Sequence, residues 1–133
     1  MLTFDPLTHQ VIAAAIAVHR KFGPGLLESV YTPCLAQELL EMGLDVEIGK
    51  AMALEHKGLK ITRAYVLDLL VENRVVVEVK CVERIADIHV AQLITYLRLT
   101  GLSVGLIINF NVTSLKDGIR RVVNTPATES RQS

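Results

Sequence analysis

The run Val75-Val76-Val77-Glu78-Val79-Lys80 constrains this chain more than any other stretch. Its β-branched residues ask for a buried strand, yet its second half carries a carboxylate and an ammonium. Side chains two apart on a strand share a face, so Glu78 and Lys80 stand side by side. Burying such a pair costs several kcal/mol per ion unless further partners compensate. A third charge or a bound cation is therefore expected beside them. Asp68, ten residues upstream in another apolar stretch, is the candidate.

At 133 residues the chain fits one compact domain with a single well-formed core, taken as residues 1–124. Half of the residues are hydrophobic, and 14 Lys and Arg balance 14 Asp and Glu. That composition argues against disorder and against the extended basic surface of a strongly cationic nucleic-acid binder, so any nucleic-acid contact must be local. Cys34 and Cys81 lie in apolar stretches without metal-type spacing and read as two buried thiols of a cytosolic protein. The N-terminus lacks a basic start followed by an apolar stretch and a cleavage site. No apolar run approaches the roughly 20 residues of a membrane span. A cytoplasmic location is expected.

Asp5-Pro6 reads as an N-cap followed by proline at the first helical position, and Leu7, Val11, Ala15, Val18 and Phe22 recur at helical spacing. This helix ends at Gly23-Pro24-Gly25, most simply a helix–helix turn. A second amphipathic segment runs from Leu26 to Met42 with Gly43 as its stop; Pro33 is tolerated in its first turns or kinks it. From Leu44 the period changes toward two. Strands are expected over 44–55, 61–72 and 74–82, with turns at Lys57-Gly58 and Glu72-Asn73-Arg74, which together make a β-meander. Asp87 is expected to cap a helix over 88–100 that ends at Gly101. An apolar strand follows over 104–110, an order that suits a crossover connection. The β-branched Ile119, Val122 and Val123 favour a last strand over 118–124, and the polar tail 125–133 is expected to fray.

Two carboxylates from adjacent strands suit a hard divalent cation such as Mg²⁺, with Mn²⁺ as an alternative, because these ions take oxygen ligands and keep waters for a substrate phosphate. A neighbouring lysine then orients a water or stabilises developing charge. Asp68, Glu78 and Lys80 meet those needs on one condition. A symmetric two-residue turn at Asn73-Arg74 would set Asp68 opposite Val79 and point it away from Glu78. The metal reading therefore requires an odd-length loop, such as Glu72-Asn73-Arg74, or a bulge.

Gly25, Glu28 and Tyr31 in Gly25-Leu26-Leu27-Glu28-Ser29-Val30-Tyr31, together with Asp68 and Glu78-Val79-Lys80, resemble the GxxExxY proteins, a branch of the PD-(D/E)xK nuclease superfamily. The resemblance runs from Val11 to Asn124 and includes His19, the segment from Gln92 to Leu97, and the segment from Leu106 to Phe110. It implies an α/β (α+β) restriction-endonuclease-like fold, with an αβββαβ core and a mixed central sheet flanked by helices. Asp68 and Glu78 would be metal ligands and Lys80 the catalytic lysine, with Glu28 projecting toward the metal directly or through water. Gln92 and Tyr96 lie one helical turn apart on one face, placed to meet the metal's surroundings or a substrate phosphate. The chain departs from the family pattern at Gly49 and His56, where glutamine and tyrosine are common.

The implied activity is a small Mg²⁺-dependent nuclease acting on nucleic acid, DNA by superfamily analogy. A homodimer or a separate protein partner would supply recognition that so small a core lacks. The competing reading is a nuclease-fold binding or interaction module without useful turnover, which the neutral net charge favours. His89 shares the face of Gln92 and Tyr96 and is read as reaching phosphate. His19 is read as a hydrogen-bonded histidine at the edge of the core, Tyr31 as a core aromatic with its hydroxyl at the rim, and His56 as an exposed strand end. Lys57, Lys60 and Arg63 form a local basic edge, as do Arg120 and Arg121, both read as solvated faces.

Overall fold

Asp5 opens the first helix as its sequence position foretells. In the computed structural model, which describes residues 5–124, its Oδ1 accepts the Leu7 N–H at 2.9 Å and the Thr8 N–H at 3.4 Å. These bonds satisfy donors that the first turn leaves open. Helix α1 (Pro6–Phe22) buries Leu7, Val11, Ala14, Ala15 and Val18. Helix α2 (Glu28–Glu41) begins two residues later than its apolar pattern suggested, because Leu26 is held in the preceding turn by the Tyr31 hydroxyl. It stops where Gly43 adopts φ 83°, and the Gly43 and Leu44 N–H groups close back onto Leu40 and Leu39. Pro33 sits inside α2.

Strands β1 (Val46–His56), β2 (Leu59–Val71) and β3 (Val75–Lys80) form the expected antiparallel meander. Lys57 and Gly58 make the first turn with positive φ at both residues. Helix α3 (Asp87–Thr100) then returns the chain so that β4 (Val104–Asn109) pairs parallel to β3. After a short 3-10 turn, Leu115–Gly118, strand β5 (Ile119–Val123) completes a five-stranded sheet in the order β1-β2-β3-β4-β5. The fold is the mixed α+β architecture of a restriction-endonuclease-like core. The tail expected to fray, 125–133, lies outside the described residues, as do residues 1–4.

Two further details differ from the sequence expectation. Asp87 is the first residue of α3 rather than its cap: Ala86 occupies the cap, and its N–H is taken by His89 Nδ1 at 2.9 Å. Cys34 and Cys81 are free but only half-buried, since both pack at the rim of the core rather than within it.

The sheet has a core on each face. Alternate residues Val75, Val77 and Val79 pack with α1 and α2, whereas Val76 packs with Leu93 and Leu97 of α3. Strand parity therefore assigns Glu78 and Lys80 to the α3 face. Along β2 the alternation breaks at Asp68: Leu67 and Leu70 belong to the α3 side, Leu69 and Val71 to the other. Gly49, opposite Asp68 when the register is continued, takes φ 60°, a conformation costly for any side-chain-bearing residue there. Among the described residues no helix is long and apolar enough to cross a membrane.

Candidate metal centre

Three residues, Glu72, Asn73 and Arg74, connect β2 to β3, with Glu72 at φ 52° and Asn73 at φ 53°. Val71 consequently pairs with Val75, Leu70 with Val76 and Leu69 with Val77. One further step of that register sets Asp68 opposite Glu78. The ladder stops there, and the side chains take over its work. The Asp68 N–H donates to Glu78 Oε2 at 3.1 Å, and the Val79 N–H donates to Asp68 Oδ2 at 2.8 Å. The strands fork around two carboxylates that each accept from the other's strand.

Glu78 is 5% exposed, and burial is the main reason its carboxyl is pushed up from 4.5 to about 8. The adjacent Asp68 charge acts in the same direction, and Glu28 adds to it. The hydrogen bond from the Asp68 backbone and the Lys80 ammonium oppose it without cancelling it. Asp68 is also shifted upward, first by burial and further by Glu28, against the Val79 hydrogen bond and Lys80. Lys80 alone thus does not offset the burial of these two carboxyl groups. Lys80 itself is half-buried at the end of β3.

Glu28 arrives from the exposed first turn of α2, where its Oε2 accepts the Cys81 N–H at 3.1 Å. A cleft of about 460 Å³ opens here between residues 25–29 and the Cys81 and Asn111 side chains. The turn that delivers Glu28 is held by Tyr31, which is fully buried, stacks on Phe110 at 4.4 Å between ring centres, donates to the Gly23 carbonyl and accepts the Leu26 N–H at 3.2 Å. Its role is to position the loop. Tyr31→Phe is expected to destabilise the fold by about 1–2 kcal/mol, measured by denaturant unfolding, because two backbone groups lose their partner while the ring packing stays.

Tyr96 of α3 borders the carboxylates. Its phenol is shifted upward by burial first, then by the charges of Glu78 and Asp68. Gln92 is exposed one turn earlier on the same helix. His89 has its Nδ1 committed to the α3 cap, which leaves Nε2 for any other partner. His19, read as a hydrogen-bonded histidine, has its Nε2 at 2.8 Å from the Val112 carbonyl oxygen. Two neighbours escaped the sequence reading. Tyr65 stacks on Tyr96 at 4.8 Å between ring centres; its only signal was an aromatic three residues before Asp68. Asn109, 2% exposed and aligned with Lys80 across β3 and β4, bonds both the N–H and the carbonyl of Val82. It fixes the segment leaving the lysine.

The donors nearest one another are carboxylate oxygens on two strands. Among the described residues no three His, Cys, Asp or Glu side chains are grouped so that together they could hold a metal ion. The arrangement suits an ion that keeps several waters, as Mg²⁺ does, and does not suit a fully protein-enclosed site such as structural zinc. Two adjacent carboxyl groups, one of them 5% exposed, at the fork of two strands are the sign that a cation fits, because a bound ion would compensate the burial of their charges.

A mixed sheet that forks onto paired carboxylates, with a lysine two residues past the second, defines a restriction-endonuclease-like protein. Residues 5–122 match the family model of the PD-(D/E)XK nuclease superfamily, and the chain belongs to that superfamily. Members of this superfamily are nucleases that generally depend on a divalent metal. No curated protein and no solved structure matches the chain.

Proposed function

We propose that this chain is a GxxExxY-type nuclease that hydrolyses phosphodiester bonds in DNA with Mg²⁺, Mn²⁺ being able to substitute. The observation that carries the reading is Glu78: a buried carboxyl group beside a second one at the fork of two strands. Asp68 and Glu78 would hold the ion. When bound, the cation supplies Lewis-acid stabilisation of a phosphoryl oxygen and a more acidic water.

The remaining work belongs to the protein. Lys80 shares the face of Glu78 and stands where its ammonium orients a water and offsets charge growing on the phosphate. Glu28, anchored by the Cys81 N–H, is near enough to add to the charge at both carboxylates and supports them from α2. Gln92 and Tyr96 offer an amide and a hydroxyl to a phosphate lying along α3, and His89 Nε2 lies on that helix face toward its N-terminus. The interlocked hydrogen bonds of Asp68 and Glu78 hold the ligands in place before substrate arrives, which saves reorganisation during the reaction. A cytoplasmic homodimer is the expected working form.

The test pairs binding with turnover. Calorimetric titration with Mg²⁺ and Mn²⁺ is expected to show binding that weakens roughly tenfold or more in Asp68→Asn, since one of two direct ligands loses its charge. Linear duplex, single-stranded DNA and RNA incubated with the parent protein should reveal cleavage that chelation stops. An absence of cleavage under either metal, on every substrate, removes this reading in favour of a binding module.

A further inference from the structure

Strand β2 pairs with β3 only over residues 69–71, yet it continues to pair with β1 as far as the turn at Lys57-Gly58. The meander thus ends in a two-stranded ribbon that leaves the sheet beside the carboxylates. Its direction follows from strand sense: β2 read backwards from Asp68 runs the same way as β3 does through Glu78 and Lys80. Seven residues separate Gly49, opposite Asp68, from His56. At about 3.3 Å per residue the ribbon reaches on the order of 20 Å past the site.

Every residue from 53 to 63 is exposed. Lys57, Lys60 and Arg63 stand against one carboxylate there, Glu55, giving this tip a charge of +2 in a chain whose net charge is zero. Glu55 is the cross-strand neighbour of Lys60 and partly offsets it. Among the described residues, ion pairs are formed by Lys50 with Glu47 and by Arg74 with Asp5, and none of the three tip cations takes part in one. Leu54 pairs with Ile61 across the strands, which helps hold an isolated ribbon together where two strands alone are marginal.

We infer that the β1–β2 ribbon is a DNA-gripping arm that enters the major groove of a B-form duplex whose backbone lies at Asp68 and Glu78. The inference rests on the nuclease reading for the placement of the backbone, while the arm's own chemistry is independent of cleavage. A two-stranded ribbon fits the roughly 12 Å major groove of B-DNA, whereas the A-form major groove is too deep and narrow for it. The arm therefore selects duplex DNA over duplex RNA. Its three cations meet phosphates flanking the groove about half a helical turn from the site, a turn being about 34 Å. Neutrality of the chain as a whole is then no obstacle to binding, because the positive charge is concentrated where the duplex passes.

The experiment is fluorescence anisotropy with a short labelled DNA duplex in EDTA, between about 50 and 200 mM salt. It compares the parent with Lys57→Ala/Lys60→Ala/Arg63→Ala, whose altered side chains are all exposed. The variant is expected to bind roughly tenfold or more weakly at the lower salt, and its slope of log affinity against log salt should be shallower by about 2–3. Duplex RNA of the same sequence should bind the parent more weakly and be little affected by the triple change. Equal affinity and slope for parent and variant overturn the arm, as does equal binding of the RNA duplex or a parent that binds no duplex. A variant that turns from dimer to monomer in sedimentation with its salt slope unchanged also overturns it, and assigns the exposed Leu54, Leu59 and Ile61 to a second copy. Arm-dependent binding without cleavage in Mg²⁺ or Mn²⁺ would sink the nuclease reading alone; cleavage with arm-independent binding would sink the arm alone.

Discussion

Glu78→Gln is expected to make the metal-free protein more stable at pH 8, on the order of 4 kcal/mol, while eliminating its response to Mg²⁺. The folded carboxyl keeps its proton up to about pH 8, whereas 4.5 is its ordinary value. Between those limits the folded state holds a proton that the unfolded state has released. The contribution of this carboxyl to the parent's stability therefore falls as pH rises through that window, and by pH 8 most of that contribution is lost. Glutamine carries no charge to desolvate and retains an oxygen to accept the Asp68 N–H. Thermal melts in EDTA at pH 5 and pH 8 measure the difference: the parent should drop between them and the variant should drop much less. Mg²⁺ at pH 8 should raise the parent's midpoint by binding only the folded form, and leave the variant where it was. A parent as stable at pH 8 as at pH 5 would contradict the cost of burying the Glu78 charge, on which the metal site rests.

Lys80→Gln is expected to lower the rate of DNA cleavage by roughly 10²–10³-fold, measured in single-turnover assays at saturating metal. Its effect on the ion should run the other way. Lys80 opposes the upward shifts of Asp68 and Glu78, so its removal lets both carboxyls hold their protons to higher pH while also taking a repelling charge away from the ion; at alkaline pH, where the proton no longer competes, metal affinity should be unchanged or slightly higher. That opposition separates a reacting residue from one that merely neutralises its neighbours. If rate and metal affinity fall together, Lys80 belongs to the support of the site instead.

Both results depend on a region whose cost to stability is visible in the fold. A valine strand would be more stable with an apolar residue at Glu78, and β2 would alternate without interruption if it did not break at Asp68. The α2 turn adds Glu28 through a loop that needs Tyr31 to hold it. The supporting groups, Tyr31 and Asn109, are buried and hydrogen-bonded through their polar atoms. The groups facing outward, Gln92 and Lys80, are left to solvent to differing degrees. Such a division between fixed and available polar side chains suits a site that must keep its shape while exchanging substrate.

The sequence by itself determined the element order, the strand meander, the stops at Gly43 and Gly101, and the anomaly of Glu78 and Lys80 within a valine strand, since periodicity and turn residues are local properties. It also limited the Asp68–Glu78 pairing to alternatives, because one residue more or less in a loop turns every following side chain to the other face. Only the tertiary structure chose among them, through a three-residue loop with Glu72 and Asn73 both at positive φ. Tertiary structure likewise assigned His89 to the cap of α3, paired Tyr65 with Tyr96, and carried the Lys57–Arg63 edge out on a ribbon beside the carboxylates. Those outcomes depend on which elements pack together. Burial, and with it the shift that marks Glu78, is a property of the neighbours that surround a side chain and not of the residues beside it in the chain.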